Sequence, residues 1–286
     1  MEVTVNGKRV TLDDGSSVLD AINISGTPIS QLCKDPDMKP IGACRTCLVQ
    51  IDGVRGFPAS CSTPANEGMK ITTNSDAVED LRITVLELTA AMTPVIADRN
   101  GNNSSEFSKL LNRSNTDISK WDTRDREEID DSNPVFNISM ESCILCGRCA
   151  QACQSGHQFI GAIDVLNSGQ TAKIGTFMDK PLLESICTTC GQCLSVCPTG
   201  AISTKELIPE ITETVTTTCP YCGVGCGIKA KVSSDDKIIE MLDDPENASS
   251  LGMLCVKGRF GYTFVHHEDR LTKPLVRKIM MIEADL

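Results

Sequence analysis

The opening 75 residues carry the regular patterning of a small folded domain. In VTVNGKRVTL (residues 3–12) apolar and polar positions alternate as in half-buried strands. Asn6-Gly7 between the two halves is a strong hairpin signal. SSVLDAINIS (16–25) reads as a short helix with Ser16 or Asp14 near its cap. CLVQID (47–52) reads as a strand, Asp52-Gly53 as a turn, and GMKITT (68–73) as a further strand. Further on the pattern breaks down. Asp98 to Asn133 is rich in Asn, Ser and Asp and reads as a linker or partner-binding segment, partly helical around Trp121. Such a segment is expected to lengthen the gap between the first domain and the rest of the chain. No run of 18 or more apolar residues occurs, so no transmembrane helix is expected.

Composition narrows the class. The chain has 286 residues, room for two to four small domains, and only 3% of them are aromatic. MEVTVNGKRV has no apolar core of a signal peptide, and a cytoplasmic location is the default expectation. In that reducing compartment clustered cysteines are metal ligands or redox centres before they are disulfides. The net charge of −11 argues against a nucleic-acid partner and suits either charged protein contacts or a plain solvated surface.

The chemistry lies in sixteen cysteines, which sort into four groups of four with none left over as a nucleophile. Cys33, Cys44, Cys47 and Cys61 form C-x10-C-x2-C-x13-C. Cys143, Cys146, Cys149 and Cys153 form C-x2-C-x2-C-x3-C, and Cys187, Cys190, Cys193 and Cys197 repeat that spacing before Pro198. Cys219, Cys222 and Cys226 are joined by Cys255 after 28 intervening residues. The two middle runs match bacterial two-cluster ferredoxins, in which the fourth cysteine of each run serves the other cube. One [4Fe-4S] cluster is therefore expected on Cys143, Cys146, Cys149 and Cys197, and another on Cys153, Cys187, Cys190 and Cys193. Zinc is the competing occupant, because four-cysteine zinc sites also use C-x2-C pairs. Disulfides between residues so close on tight loops would be strained.

Two strands, a helix, a cysteine loop and two more strands give a mixed sheet gripping one helix, the β-grasp arrangement of [2Fe-2S] ferredoxins. The spacing of the first group departs from the plant-type form. LCKDPDMKPIGACRTCLVQIDG and PASCSTPANEGM resemble instead the N-terminal domain of the large iron-sulfur subunit of respiratory complex I, a domain shared with NAD-linked formate dehydrogenases and iron-only hydrogenases. The resemblance implies a [2Fe-2S] cluster on Cys33, Cys44, Cys47 and Cys61, with zinc or a structural role as alternatives. TCPYCGVGCGIKAKV and LGMLCVKGRFGY, with HHEDRLTKPLVRK after them, resemble the [4Fe-4S] subdomain that begins formate dehydrogenases of the molybdopterin family. This implies a third [4Fe-4S] cluster on Cys219, Cys222, Cys226 and Cys255, against a zinc ribbon. Lys257 matches the family's lysine between cube and pterin, or is a plain surface lysine.

The likeness runs from Val3 to about Lys278, with two departures. Relatives have a histidine and three cysteines holding another cluster after the helix that ends near LEL. Here Thr93 and Ala97 stand at two of those positions, and no Cys or His occurs between Cys61 and Cys143. The pterin-binding folds and the active-site cysteine or selenocysteine of a formate dehydrogenase are also absent from the 286 residues. There is no P-loop or Rossmann fingerprint. Of the three histidines, His157 reads as a polar neighbour, and His266-His267 match no ligand spacing.

The expected fold is α+β and multi-domain. A β-grasp [2Fe-2S] domain covers 1–74 and a helix with polar linker covers 75–135. A two-[4Fe-4S] ferredoxin domain covers 136–208, and a [4Fe-4S] subdomain of molybdopterin-oxidoreductase type covers 209–286. The expected role is an electron relay within a hetero-oligomer, with no catalytic residue of its own. By resemblance its partners are an NAD(H)-binding flavoprotein and ferredoxin or another redox subunit, with flavin and NAD(P) held by those partners. Electron-bifurcating transhydrogenases and hydrogenases of anaerobic bacteria are built from such parts. A split molybdenum or tungsten formate dehydrogenase, with the pterin on a separate chain, is the alternative.

Overall fold

A computed structural model describes residues 1–93, 105–123, 126–205 and 211–276 of the chain. At the N-terminus β1 (Glu2–Val5) and β2 (Lys8–Thr11) pair antiparallel. The turn between them places Asn6 and Gly7 at φ 47° and 84°, the two left-handed positions that make this pair a hairpin former. Helix α1 (Val18–Ser25) starts from Ser17, not from Ser16 or Asp14. The Ser17 hydroxyl accepts from the Asp20 N–H, and the Asp20 carboxylate accepts from the Ser17 N–H, a reciprocal cap that neither alternative start offers. Strands β3 (Gln50–Ile51) and β4 (Lys70–Thr72) complete a mixed sheet of order β2-β1-β4-β3, with β1 and β4 parallel. Val3, Val5, Val10, Ile51 and Ile71 face Val18, Ala21 and Ile22 of α1 in one buried core.

Helix α2 (Asp76–Ala91) comes next, and α3 (Glu106–Arg113) begins the segment read as a linker. This segment does not lengthen the gap. Phe107 and Leu111 of α3 share one buried core with Leu86 and Ala90 of α2, Leu32 and Cys33 of the first domain, and Ile144 and Cys146 of the next. The helix thus lies where two cysteine groups meet, and its Phe107 N–H donates to the carbonyl of Pro198 at 2.9 Å. Its apolar positions at i and i+4 are too few to stand out in a polar stretch, yet they suffice to bury one face. Trp121 lies just after a single 3-10 turn at Ile118–Lys120, and its indole donates to the buried Glu87 of α2 at 3.1 Å. Ala97 and Asp98, the proposed boundary at 208/209, and residues 277–286 lie outside the described residues.

The middle domain holds the sheet β5 (Ile129–Asp130), β6 (Phe136–Ser139) and β9 (Ile202–Thr204), in order β5-β6-β9. The hairpin β7 (Ile163–Leu166) and β8 (Lys173–Thr176) lies beside it. Short helices α4 (Arg148–Gln151) and α5 (Gln192–Ser195) occupy equivalent places in the two cysteine runs. The last domain is an antiparallel sheet of β10 (Ile211–Thr218), β11 (Gly227–Ser233) and β12 (Ile238–Asp243). Helix α6 (Val256–Phe260), with Cys255 as its N-cap, packs against β12. No helix among the described residues is long and apolar enough to cross a membrane.

Candidate metal centres

In the first domain Cys33, Cys47 and Cys61 are buried, and Cys44 is half-buried with its Sγ 3.1 Å from the Thr46 hydroxyl. Arg45 bends the loop through a left-handed φ of 57°, which turns Cys44 and Cys47 inward together. The bridge between Leu48 and Ala59 brings the neighbouring Cys47 and Cys61 alongside each other. Hydrogen bonds from the Cys44 and Cys61 thiols hold the Cys33 pKa down at about 2, and one from Cys61 holds Cys47 at about 6. The thiols of Cys44 and Cys61 are pushed up correspondingly, first by their bonds to Cys33. All four sulfurs therefore meet in one chain of contacts.

The middle runs fold into near copies of one loop. Leu145 and Thr189 take φ of 54° and 56°, and Gly147 and Gly191 take 78° and 75°. Each turn lets a backbone N–H reach a sulfur: Leu145 to Cys143 and Thr189 to Cys187, both at 3.4 Å. Two cavities result. One is lined by Cys143, Cys146, Cys149 and Cys197. The other is lined by Cys153, Cys187, Cys190 and Cys193. Ile138 of β6 contributes to both walls. The fourth cysteine of each run thus lies in the other run's cavity. The Ala162 N–H donates to the Cys153 sulfur at 3.2 Å.

Burial pushes Cys143 up to about 11 and Cys146 up to about 12, and raises Cys149 and Cys193 further in the same direction. Bare thiols in such apolar walls resist ionisation, whereas coordinated iron ionises them outright. The donor sets thus fit a cluster. Zinc would draw its ligands to about 2.3 Å from one point. Here the thiols of each middle quartet ring a space.

The last group lies at the surface. Cys219 is buried, Cys226 half-buried, and Cys222 and Cys255 exposed. Burial, and after it the charges of Cys219, Cys222 and Cys255, raises the pKa of Cys226, so all four are neighbours. The Cys219 N–H donates to the Cys226 carbonyl at 2.8 Å and closes the loop. Lys257 is exposed on α6. His157 lies 3.9 Å from Asp35, whereas His266 accepts from the Ile238 N–H in the last domain. Thr93 is buried.

Sequence reasoning passed over a set of polar side chains that join these loops. Arg148, between Cys146 and Cys149, donates to the Leu32 carbonyl beside Cys33 at 3.4 Å, to Asp35 at 3.3 Å and to Glu106 at 2.7 Å. Burial works against its charge, but the Glu106 and Asp35 carboxylates outweigh that and hold its pKa above the ordinary value. Gln192, at the matching place between Cys190 and Cys193, donates to the Leu254 carbonyl beside Cys255 at 3.1 Å. The buried Arg126 donates to the carbonyls of Met92 and Cys143. The signal for the first two was the internal repeat Cys-Gly-x-Cys, at 146–149 and 190–193.

Three family models match the chain. A 2Fe-2S iron-sulfur cluster binding domain matches residues 1–76, a 4Fe-4S dicluster domain 142–202, and a molybdopterin oxidoreductase Fe4S4 domain 212–267. The chain is 30% identical to the NADPH-Fe(3+) oxidoreductase subunit alpha of Geobacter sulfurreducens, over 97% of this chain and 33% of that one. It is 29% identical to a subunit of NADH-quinone oxidoreductase from Rhizobium meliloti, over the same shares. A putative formate dehydrogenase of Staphylococcus aureus is 26% identical over 96% of this chain and 32% of its own. The chain thus spans about a third of the length of the curated relatives it matches. Among solved structures, a chain of NAD+-reducing [NiFe]-hydrogenase in its H2-reduced state superposes with a TM-score of 0.64 and 25% identity, over 71% of this chain and 87% of that one. The chain carries a [2Fe-2S] domain and [4Fe-4S] domains, and it resembles the iron-sulfur parts of these oxidoreductases along nearly its whole length.

Proposed function

We propose that this chain is an electron-transfer subunit of an NAD(P)-linked oxidoreductase complex, with one [2Fe-2S] and three [4Fe-4S] clusters held by the four cysteine groups. The observation that carries this reading is the pair of adjacent cavities, each ringed by four thiols drawn from both middle runs. Bound clusters supply one-electron transfer. The chain's own residues hold them in order. Arg148 pins the second loop to the first and to Glu106 of α3, and Gln192 and Arg259 pin the third to the last. The domain bounds proposed are 1–74, 75–135, 136–208 and 209–286.

In this reading a flavoprotein partner exchanges electrons with NAD(H) at the first domain. Ferredoxin or another redox subunit serves a second port, as in bifurcating transhydrogenases and hydrogenases. Relatives named as NADPH-, NADH- and NAD+-linked enzymes support the nicotinamide side. A second reading is favoured by the molybdopterin-type match at 212–267 and by the formate dehydrogenase relative. There the last cluster faces a molybdenum or tungsten pterin centre.

The test is anaerobic purification of the native complex with metal, sulfide, flavin and subunit analysis. The proposal expects about 14 iron atoms per copy of this chain, from one two-iron and three four-iron clusters. Iron near 4 or 8 would show that a quartet has been misread. Stoichiometric molybdenum or tungsten with pterin selects the second reading, and iron and flavin alone select the first.

A further inference from the structure

Arg259 is the bulkiest fully buried side chain among the described residues, with 2% of its surface exposed. A guanidinium keeps its charge at any physiological pH, and burying one is costly unless it is well paired. Arg259 is paired only in part. Its Nη2 donates to Asp243 at 3.0 Å, but that carboxylate is 24% exposed and also accepts from the Ser195 hydroxyl at 3.0 Å. Its Nε donates to the Cys190 carbonyl at 3.2 Å, and Nη1 has no hydrogen-bond partner among the described residues.

The place of this cation is specific. Cys190 and Gly191 belong to the wall of the cavity lined by Cys153, Cys187 and Cys193. A Cβ on Gly191 would fall 2.4 Å from Arg259 Cδ and 2.8 Å from the Phe260 ring, so the arginine stem lies flat against that wall. Arg259 also belongs to α6, whose N-cap is Cys255. Gln192 reinforces the join through the Leu254 carbonyl. One residue therefore fixes the last cysteine group against the third and brings a partly compensated positive charge up against the wall of the third group's cavity.

We propose that Arg259 is a positioning and tuning residue that raises the reduction potential of the cluster on Cys153, Cys187, Cys190 and Cys193 and holds the last cluster's loop against it. This rests on the reading that the quartet binds a [4Fe-4S] cluster. Four thiolates make the site anionic, and one added electron makes it more so. A buried cation at the wall favours that reduced state over the oxidised one, and no proton need move.

The test uses the full chain with clusters reconstituted anaerobically, iron and sulfide counted, and dithionite as the electron donor. Low-temperature EPR tracks each cluster through a redox titration, with Cys187→Ser identifying the signal concerned. Arg259→Met should shift the one-electron equilibrium of that cluster toward the oxidised form by about tenfold, about 59 mV, the order expected of one charge in a low-dielectric wall. The Cys33 and Cys143 groups should titrate unchanged. Arg259→Lys should stay near the wild type. Asp243→Asn, which removes the compensating carboxylate, should shift the equilibrium the opposite way. A purely structural role predicts no such opposition of sign. Unmoved potentials in Arg259→Met and Asp243→Asn, or shifts in the same direction, overturn the proposal. If Arg259→Met fails to retain the cluster, Asp243→Asn decides alone: a raised potential supports the proposal, and an unmoved or lowered one overturns it. A wild-type chain lacking that cluster overturns the underlying reading and this inference together, whereas a cluster present but indifferent to both variants overturns only the inference.

Discussion

Replacing Arg148 with methionine should loosen the contact between the first domain and the middle one, by an amount that can be worked from its partners. Arg148 and Asp35 are both 9% exposed, so their 3.3 Å pair is buried. Breaking such a pair by removing one partner costs about 3–5 kcal/mol, because the other charge stays buried and uncompensated. Among the described residues Asp35 would keep the Asp37 N–H at 3.1 Å and the more distant His157. The Glu106 arm is different. Glu106 is 49% exposed, and losing its 2.7 Å contact should cost at most about 1 kcal/mol. At about 1.4 kcal/mol per tenfold, a loss of about 3 kcal/mol or more raises local opening by at least about a hundredfold. Hydrogen exchange of the cluster-loaded chain, read on peptides covering 31–39 and 106–113, measures that opening. The double variant Asp35→Asn/Arg148→Met removes both charges and should recover most of the lost protection. Protection in Arg148→Met within about threefold of wild type would refute the reasoning. So would a double variant as open as the single one.

Three further outcomes are expected. Gly191→Ala forces a left-handed residue to carry a Cβ 2.4 Å from Arg259 Cδ; it should cost about 2–4 kcal/mol and loosen the last domain, seen as faster hydrogen exchange over Val256–Phe260 while the 2Fe-2S signal stays. The Asp117 N–H and the Trp121 indole, with Lys120, hold Glu87 below the usual carboxylate range, so its stabilisation is complete above about pH 4.3 and is lost as pH falls through the depressed folded value. Emission from Trp121, the only tryptophan, should accordingly shift red on acidification, and Glu87→Gln should abolish that titration. Cys153→Ser should perturb the cluster that Cys187, Cys190 and Cys193 share, and Cys197→Ser the cluster of Cys143, Cys146 and Cys149; the reverse pattern would break the crossed assignment.

The parts of the fold that were legible are those with local causes. The Asn6-Gly7 hairpin and the strands around it arise from turn chemistry and short-range periodicity. The shared cavities of Cys153 and Cys197 arise from spacing. What stayed hidden depends on contacts between segments distant in sequence. Strand β3 shrank to Gln50–Ile51, and Leu48 instead pairs with the distant Ala59 in an isolated bridge. Helix α3 is polar except at the face that Phe107 and Leu111 bury, and nothing local says that Leu32, Leu86 and Ile144 will meet that face. Arg126, Arg148 and Arg259 look like surface residues in the sequence. Their burial is visible only once domains pack and backbone carbonyls beside cysteines become acceptors.

The repeated Cys-Gly-x-Cys element explains why those contacts take the form they do. In both copies a left-handed glycine turns the chain, and the next side chain is buried and reaches a backbone carbonyl of the adjoining domain. Arg148 reaches the carbonyl of Leu32, the residue before Cys33, and Gln192 reaches that of Leu254, the residue before Cys255. A pseudo-symmetric domain thus uses one position twice, once toward each neighbour. The chemistry differs because the neighbours differ. The first faces buried Asp35 and needs a cation, whereas the last brings its own cation in Arg259 and needs only an amide. An arginine at 192 would set a second charge close to Arg259 with no further carboxylate to meet it, and a glutamine at 148 would leave Asp35 uncompensated. The identity of that one residue in each repeat is therefore dictated by the charge of the domain it meets, and the order of the four cysteine groups along the chain becomes their order in space.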